Sequence, residues 1–167
     1  MKTLITLIAF LPLLAFAQTA EIDHGYLSVT IDPNNLLNVV DNPRMDRDEF
    51  GTDFKIEAGA YHRNALVYAF YNGFPQQDYT YMALGGGGYV QPFAKVIVSG
   101  SLQYGILKRQ VNEAYLAWGA RATLGYRIGR FTVVAEPEYQ QRPDIASHGI
   151  FQLKVGVQFW ILNRMGR

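Results

Sequence analysis

The sequence predicts an all-β fold: an eight-stranded antiparallel up-and-down transmembrane β-barrel that follows a cleaved signal peptide. Three observations predict it. Apolar side chains recur at every second position through eight segments, the period of a strand with one greasy face. Tyr (11), Phe (10) and Gly (16) are abundant, a mixture suited to strands and tight turns. The connections alternate between longer polar stretches and short turns, which in a meander gathers the long loops at one end.

The first residues, "MKTLITLIAFLPLLAFAQ", carry one cation at Lys2, an apolar run from Leu4 to Phe16 broken by Pro12, and the small-x-small stretch Ala15-Phe16-Ala17. This pattern predicts a secretory signal peptide over residues 1–17, and the run is shorter than the roughly 20 residues a membrane helix requires. Residues 18–167 are then a single β-barrel domain of about 150 residues. Removing Lys2 takes the formal charge of +1 to neutrality, so no bulk attraction draws nucleic acid, which is excluded as a partner. Without cysteine the chain has neither disulfides nor the acylated cysteine of a lipoprotein.

The first predicted strand, "YLSVTI", sets Leu27, Val29 and Ile31 against Tyr26, Ser28 and Thr30. Residues 32–52 follow as the longest loop, with turn residues and clustered charge. "DFKIEAGAY" alternates Phe54, Ile56, Ala58 and Ala60 with Lys55, Glu57, Gly59 and Tyr61. After the "HRNA" turn, "LVYAFYNGF" groups Leu66, Tyr68 and Phe70, but the opposite parity is almost as apolar and leaves the register open. "PQQD" ends it, and "YTYMALGGGGYV" is the fourth strand.

A "QPFA" turn leads to "KVIVSGSLQY", where Val96, Val98, Gly100, Leu102 and Tyr104 oppose Lys95, Ile97, Ser99, Ser101 and Gln103. Residues 105–113 read as a polar connection. "AYLAWGARATLGY" then places Leu116, Trp118, Ala120, Ala122, Leu124 and Tyr126 opposite Ala117, Gly119, Arg121, Thr123 and Gly125. Taken as a two-residue hairpin, "RIGR" pairs Arg127 with Arg130, Arg121 with Glu136, Tyr126 with Phe131, Leu124 with Val133 and Ala122 with Ala135. "FTVVAEPEY" is the seventh strand and 140–148 its exit loop. "GIFQLKVGVQFWIL" closes the set, with Phe151, Leu153, Val155, Val157, Phe159 and Ile161 on one face and Gln152, Lys154, Gly156, Gln158 and Trp160 on the other.

A soluble lipocalin-type barrel or sandwich shows the same alternation with its apolar face inward, where it binds an apolar ligand. Charge placement favours the membrane form. Lys55, Glu57, Arg121, Glu136 and Lys154 fall mid-strand on the polar face with signs that neutralise one another, a set that suits the narrow lumen of a small barrel. The lipid-facing set is then Leu116, Trp118, Leu124, Phe131, Val133, Phe151, Leu153, Val155, Val157 and Phe159. Tyr26, Tyr61, Tyr104, Tyr126, Phe131, Tyr139, Phe151 and Phe159 fall near strand ends, where rings suit the membrane interfaces.

The leader, the meander of eight alternating segments, the charged mid-strand residues and the aromatic-ended final strand resemble the small outer-membrane barrels of the OmpX type and the barrel domain of OmpA. The resemblance covers nearly all of the mature chain and rests on architecture, without a family-specific run of residues. One departure is the tail: those proteins typically finish on an aromatic, whereas Phe159 and Trp160 are followed by "ILNRMGR". The resemblance implies an integral, non-enzymatic protein of a Gram-negative outer membrane with a structural, adhesive or protective role. Its partners would be outer-membrane lipid and an extracellular protein or surface met through loops 32–52, 105–113 and 140–148.

Candidate chemistry is sparse. "DRDEFGTDFKIE" places Asp46, Asp48, Gly51 and Glu57 at calcium-loop positions, but Phe50 occupies a ligand position, no helices flank it, and Glu57 belongs to a strand. His24, His62 and His148 lack ligand spacing and are expected at the surface. Ser147 and His148 raise the alternative of a lipid-modifying outer-membrane enzyme, yet adjacent residues at a strand end point apart. "GGGG", Gly85 to Gly88, lacks the helix and Lys-Ser/Thr of a phosphate loop and is read as room for bulky lumenal neighbours or a bend. No catalytic residue, metal or cofactor is assigned.

Overall fold

The computed structural model describes residues 24–33, 53–74, 79–109, 113–141, 143 and 149–163. The expected signal peptide at 1–17 lies outside the described residues, as does most of the 32–52 loop. Eight strands are present: β1 (His24–Ile31), β2 (Phe54–His62), β3 (Ala65–Phe74), β4 (Tyr79–Phe93), β5 (Val96–Arg109), β6 (Glu113–Ile128), β7 (Phe131–Gln141) and β8 (Gly149–Asn163). They pair antiparallel in chain order, and β1 closes on β8 to complete a barrel. Closure leaves no edge strand, so the wall satisfies its own backbone groups without water, as a chain crossing hydrocarbon must.

Side chains divide by parity across this wall. On β1, β2 and β8, Val29 pairs with Ile56 on one side and Val157 on the other, and these three side chains are on the outside. One position earlier, Ser28 pairs with Glu57 and Gln158, and all three are buried inside. The core of the molecule is therefore polar and aromatic, and its surface is apolar.

Short turns gather at one end of the barrel: Arg63-Asn64, Ala94-Lys95 and Gly129-Arg130. Gly129 holds φ +64° at the first central position of its hairpin, a conformation that suits glycine and matches the twist of the flanking strands. Arg63 adopts a positive φ of 52° in the equivalent place. The strand ends that flank residues 32–53, 75–78, 110–112 and 142–148 lie at the opposite end.

Several boundaries and registers differ from the sequence reading. Residues 105–113 are mostly strand: β5 continues to Arg109 and β6 begins at Glu113, with Arg109 and Glu113 paired. Their polarity marked the limit of the apolar belt, whereas the hydrogen-bonded ladder runs on past it. Strands β4, β5, β6 and β8 have 15, 14, 16 and 15 residues, more than the roughly 9–11 that cross a bilayer. For the same reason β7 reaches Gln141, inside the expected 140–148 loop. The "QPFA" turn shrinks to Ala94-Lys95, since β4 runs to Phe93 through an irregularity after Val90.

The hairpin of β6 and β7 turns on Gly129-Arg130, pairing Ile128 with Phe131 and Arg127 with Thr132. Arg121 therefore lies opposite Glu138 and not Glu136, Tyr126 opposite Val133 and not Phe131, and Leu124 opposite Ala135 and not Val133. Moving the turn by one residue shifts the pairing by two, so every side chain keeps its face. The pairing passes from Arg121↔Glu138 to Leu124↔Ala135 and skips the positions opposite Pro137, which has no N–H to donate. The expected Ala122 and Ala135 pair is likewise absent.

Candidate functional site

Eight strands enclose a space that side chains alone fill. Its middle layer is built from alternate residues of β2, β6 and β7. Arg121 reaches from β6 to Glu57 on β2, four strands away round a ring of eight, so this pair spans the barrel from wall to wall. The contact is bidentate: Arg121 Nη1 donates to Glu57 Oε2, and Nη2 donates to Oε1 at 3.1 Å. Tyr26 Oη also donates to Glu57 Oε1 at 2.6 Å, and the Arg121 guanidinium lies 4.0 Å from the centre of the Tyr68 ring.

Lys55 Nζ donates to Glu136 and lies 3.6 Å from Glu138 Oε2 and 4.0 Å from Glu57 Oε2. Glu136 Oε2 also sits 3.5 Å from Arg121 Nη1. Nearer the loop end, Lys154 Nζ donates to Asp53 Oδ1 at 3.1 Å and to Asn72 Oδ1 at 2.8 Å. Gln103 Nε2 donates to Glu138, and Tyr68 Oη lies 2.9 Å from Ser101 Oγ. Lys55, Glu57, Arg121, Glu136 and Lys154 all have relative exposures of 4% or less. Charges this buried survive only with near-complete pairing, because desolvation otherwise exceeds the Coulombic gain.

Above and below this layer the lumen is aromatic. Towards the turn end, Tyr61 stacks on Trp160 with centroids 5.5 Å apart and meets Tyr26 at 5.1 Å and Tyr89 at 4.5 Å. His24 packs edge-on to Trp160 at 5.3 Å, and Trp160 Nε1 donates to Thr132 Oγ1 at 2.8 Å. Towards the loop end, Phe70 meets Tyr81, whose hydroxyl donates to the Ala117 carbonyl at 3.2 Å. Tyr26 and Tyr61 thus line the interior and not an interfacial girdle, and His24 is buried and not at the surface: each occupies the inward parity of its strand. Leu66, Tyr68 and Phe70, whose facing the pattern left open, also point inward.

Two glycines make room for lumenal rings. A Cβ at Gly85 would lie 2.1 Å from Tyr68 Cζ, and one at Gly59 would lie 2.4 Å from Tyr26 Oη. Each ring covers the glycine paired with its own residue. Glu57 is held inside the lumen by Arg121 and Tyr26, whereas Asp46, Asp48 and Gly51 lie outside the described residues. Ser147 and His148 lie outside them too.

The outer surface carries Leu116, Trp118, Leu124, Phe131, Val133, Phe151, Leu153, Val157 and Phe159 as exposed side chains, with Val155 half-buried among them. Tyr104, Tyr126, Leu102 and Ile56 extend the same belt. A soluble barrel that holds an apolar ligand needs the opposite arrangement, with the apolar stripe within and the charges in water. Sequence reasoning missed Glu138, Asp53, Asn72 and Gln103. Glu138 shares the inward parity of Glu136, and Asp53 that of Lys55, so the signal was present in the alternation.

No family model matches the chain, and no curated protein matches it. Solved structures do. The outer membrane protein Ail of Yersinia pestis, in a phospholipid bilayer nanodisc, is 13% identical with a TM-score of 0.55, covering 83% of this chain and 99% of that one. A de novo designed transmembrane β-barrel is 12% identical with a TM-score of 0.52, covering 84% and 98%. Neisserial surface protein A is 11% identical with a TM-score of 0.50, covering 81% and 94%. At these identities the likeness shows the fold: the chain has the architecture of the small eight-stranded outer-membrane barrels. That a designed barrel shares it underlines that the fold carries no particular activity.

Proposed function

We propose that this protein is a non-conducting structural barrel of a bacterial outer membrane, a rigid plug of wall and lumen that displays its long connections on the cell surface. One observation carries the reading: the Arg121–Glu57 pair, with Lys55 and Glu136 beside it, bridges the full width of a lumen that aromatic layers fill on either side. A lumen braced in this way offers ions no path. Lipid contacts the outward set from Leu116 to Phe159, and the turns face the periplasm, the usual disposition of such barrels. The match to an outer membrane protein and to a surface protein supports this location. No chemistry is assigned to the lumen, where each of the five charges named above is engaged by another side chain.

Two measurements test this. Expressed with its leader, the protein should fractionate with outer membranes and migrate faster in gels before boiling than after. Recovery in an aqueous periplasmic fraction would overturn the location. Purified protein added to planar bilayers should produce no unitary current steps, and regular steps would overturn the closed lumen.

A further inference from the structure

The two ends of the barrel differ in charge. The turn end carries Arg63, Lys95, Arg127 and Arg130, and among its described residues (24–26, 60–67, 88–98, 124–134 and 158–163) there is no Asp or Glu. The described residues of the loop end carry both signs, with Asp32, Asp53 and Glu113 beside Lys108 and Arg109. Beyond β8 the sequence adds Arg164 and Arg167.

The cations are fixed on one rim. Backbone hydrogen bonds tie each turn to the next strand: Tyr89 N–H on β4 donates to the Asn64 carbonyl at 2.9 Å, Arg127 N–H on β6 to that of Lys95 at 2.7 Å, and Trp160 N–H on β8 to that of Arg130 at 3.0 Å. Immediately beside the charges, the outer wall ends in exposed Phe93, Ile128, Phe131 and Ile161. Arg127 and Arg130 directly adjoin the exposed Ile128 and Phe131, and Lys95 stands two residues from Phe93, so this stretch of rim matches a molecule with an anionic head and a hydrocarbon tail. A polyanion in water would meet the charges but gain nothing from the belt.

We infer that the turn end is a docking rim for anionic phospholipid headgroups, with Lys95 and Arg130 binding the phosphates while the acyl chains lie on Phe93 and Phe131. This rests on the reading that the outer wall faces lipid, and it adds a preference for lipid class in the leaflet that the turns reach. Cations at such an interface each strengthen binding of anionic lipid by roughly fivefold.

The test uses the folded barrel in neutral detergent micelles, titrated with short-chain phosphatidylglycerol or the matching phosphatidylcholine while amide NMR signals are followed. Signals of Asn64, Lys95 and Gly129 should shift to saturation with phosphatidylglycerol and not with phosphatidylcholine. The Lys95→Gln/Arg130→Gln variant should bind on the order of 25-fold more weakly. Should that variant fold poorly, about 0.5 M NaCl on the wild type should weaken the shifts in the same way, since it screens exposed charge.

Equal response to both lipids, or shifts confined to the loop end, would overturn the inference. Glycerol phosphate acting as well as the lipid would reduce the rim to a phosphate site, and polyglutamate acting as well would make it a polyanion site; either result overturns it. Failure of the lipid-facing reading would appear differently, as a protein that needs no detergent to stay in solution.

Discussion

Replacing Arg121 with Met tests whether the charge layer holds the barrel together. The change removes two hydrogen bonds to Glu57 and the contact with Glu136 at 3.5 Å, leaving Glu57 with Tyr26 and a Lys55 ammonium at 4.0 Å. Removing one partner of a buried pair costs about 3–5 kcal/mol, chiefly because the other charge stays buried without its counter-ion. Residual help from Tyr26 and Lys55 places this site near the lower bound. The double variant Arg121→Met/Glu57→Gln has no stranded carboxylate at position 57 and should recover part of the loss. The two changes should be non-additive by about 1–3 kcal/mol, as for residues sharing one network. The assay is urea unfolding in detergent micelles, followed by tryptophan emission and by the heat-dependent gel shift. Losses below about 1 kcal/mol for the single variant, or strictly additive losses, would refute the reasoning.

Four further outcomes follow from the geometry. Gly85→Val should destabilise the barrel by about 1–3 kcal/mol, since its side chain would displace the Tyr68 ring, and Tyr68→Ala in the same chain should restore part of that, as urea midpoints would show. Val157→Arg puts a cation on the outer wall and should cost about 2–4 kcal/mol near the bilayer midplane. Lys154→Met, three residues away on the inward face, would instead strand Asp53, so its loss should fall as Asp53→Asn is added, whereas that of Val157→Arg should not. Thr132→Val removes the acceptor of the Trp160 indole and should cost about 1–3 kcal/mol with a shift in tryptophan emission, the measurement that checks it.

Parity was legible in the sequence, and register was not. The period of two in "KVIVSGSLQY" and "GIFQLKVGVQFWIL" assigns each side chain to a face without reference to any other strand, because the pleat alone decides it. In "LVYAFYNGF" both faces are apolar, so the pattern leaves the facing open, and Tyr68 turns inward over Gly85 and beside Ser101. Register depends on where a turn closes. "RIGR" reads as a turn on Ile128-Gly129, whereas Gly129, at φ +64° in the first central position, moves the turn by one residue and brings Arg121 opposite Glu138. Strand length was masked for a different reason: hydropathy reports the thickness of the apolar belt, while Leu107, Lys108 and Arg109 extend the ladder into what reads as a polar connection.

The same separation explains why the charge layer was visible but its connections were not. Lys55 and Glu136 are 81 residues apart, and neither strand neighbours the other; they meet because the barrel is narrow enough for side chains to cross it. Which carboxylate each cation meets is set by the stagger of the strands round the ring, a property of closure that no single segment contains. Closure also decides what the charges do. In an open sheet they would form a solvated face, whereas in a ring of eight strands the same alternation gathers them on one axis, where each must find a partner from another wall. The lumen is filled because the inward side chains of opposite walls are long enough to meet, so shortening them, and not widening the loops, is the change that would open a path.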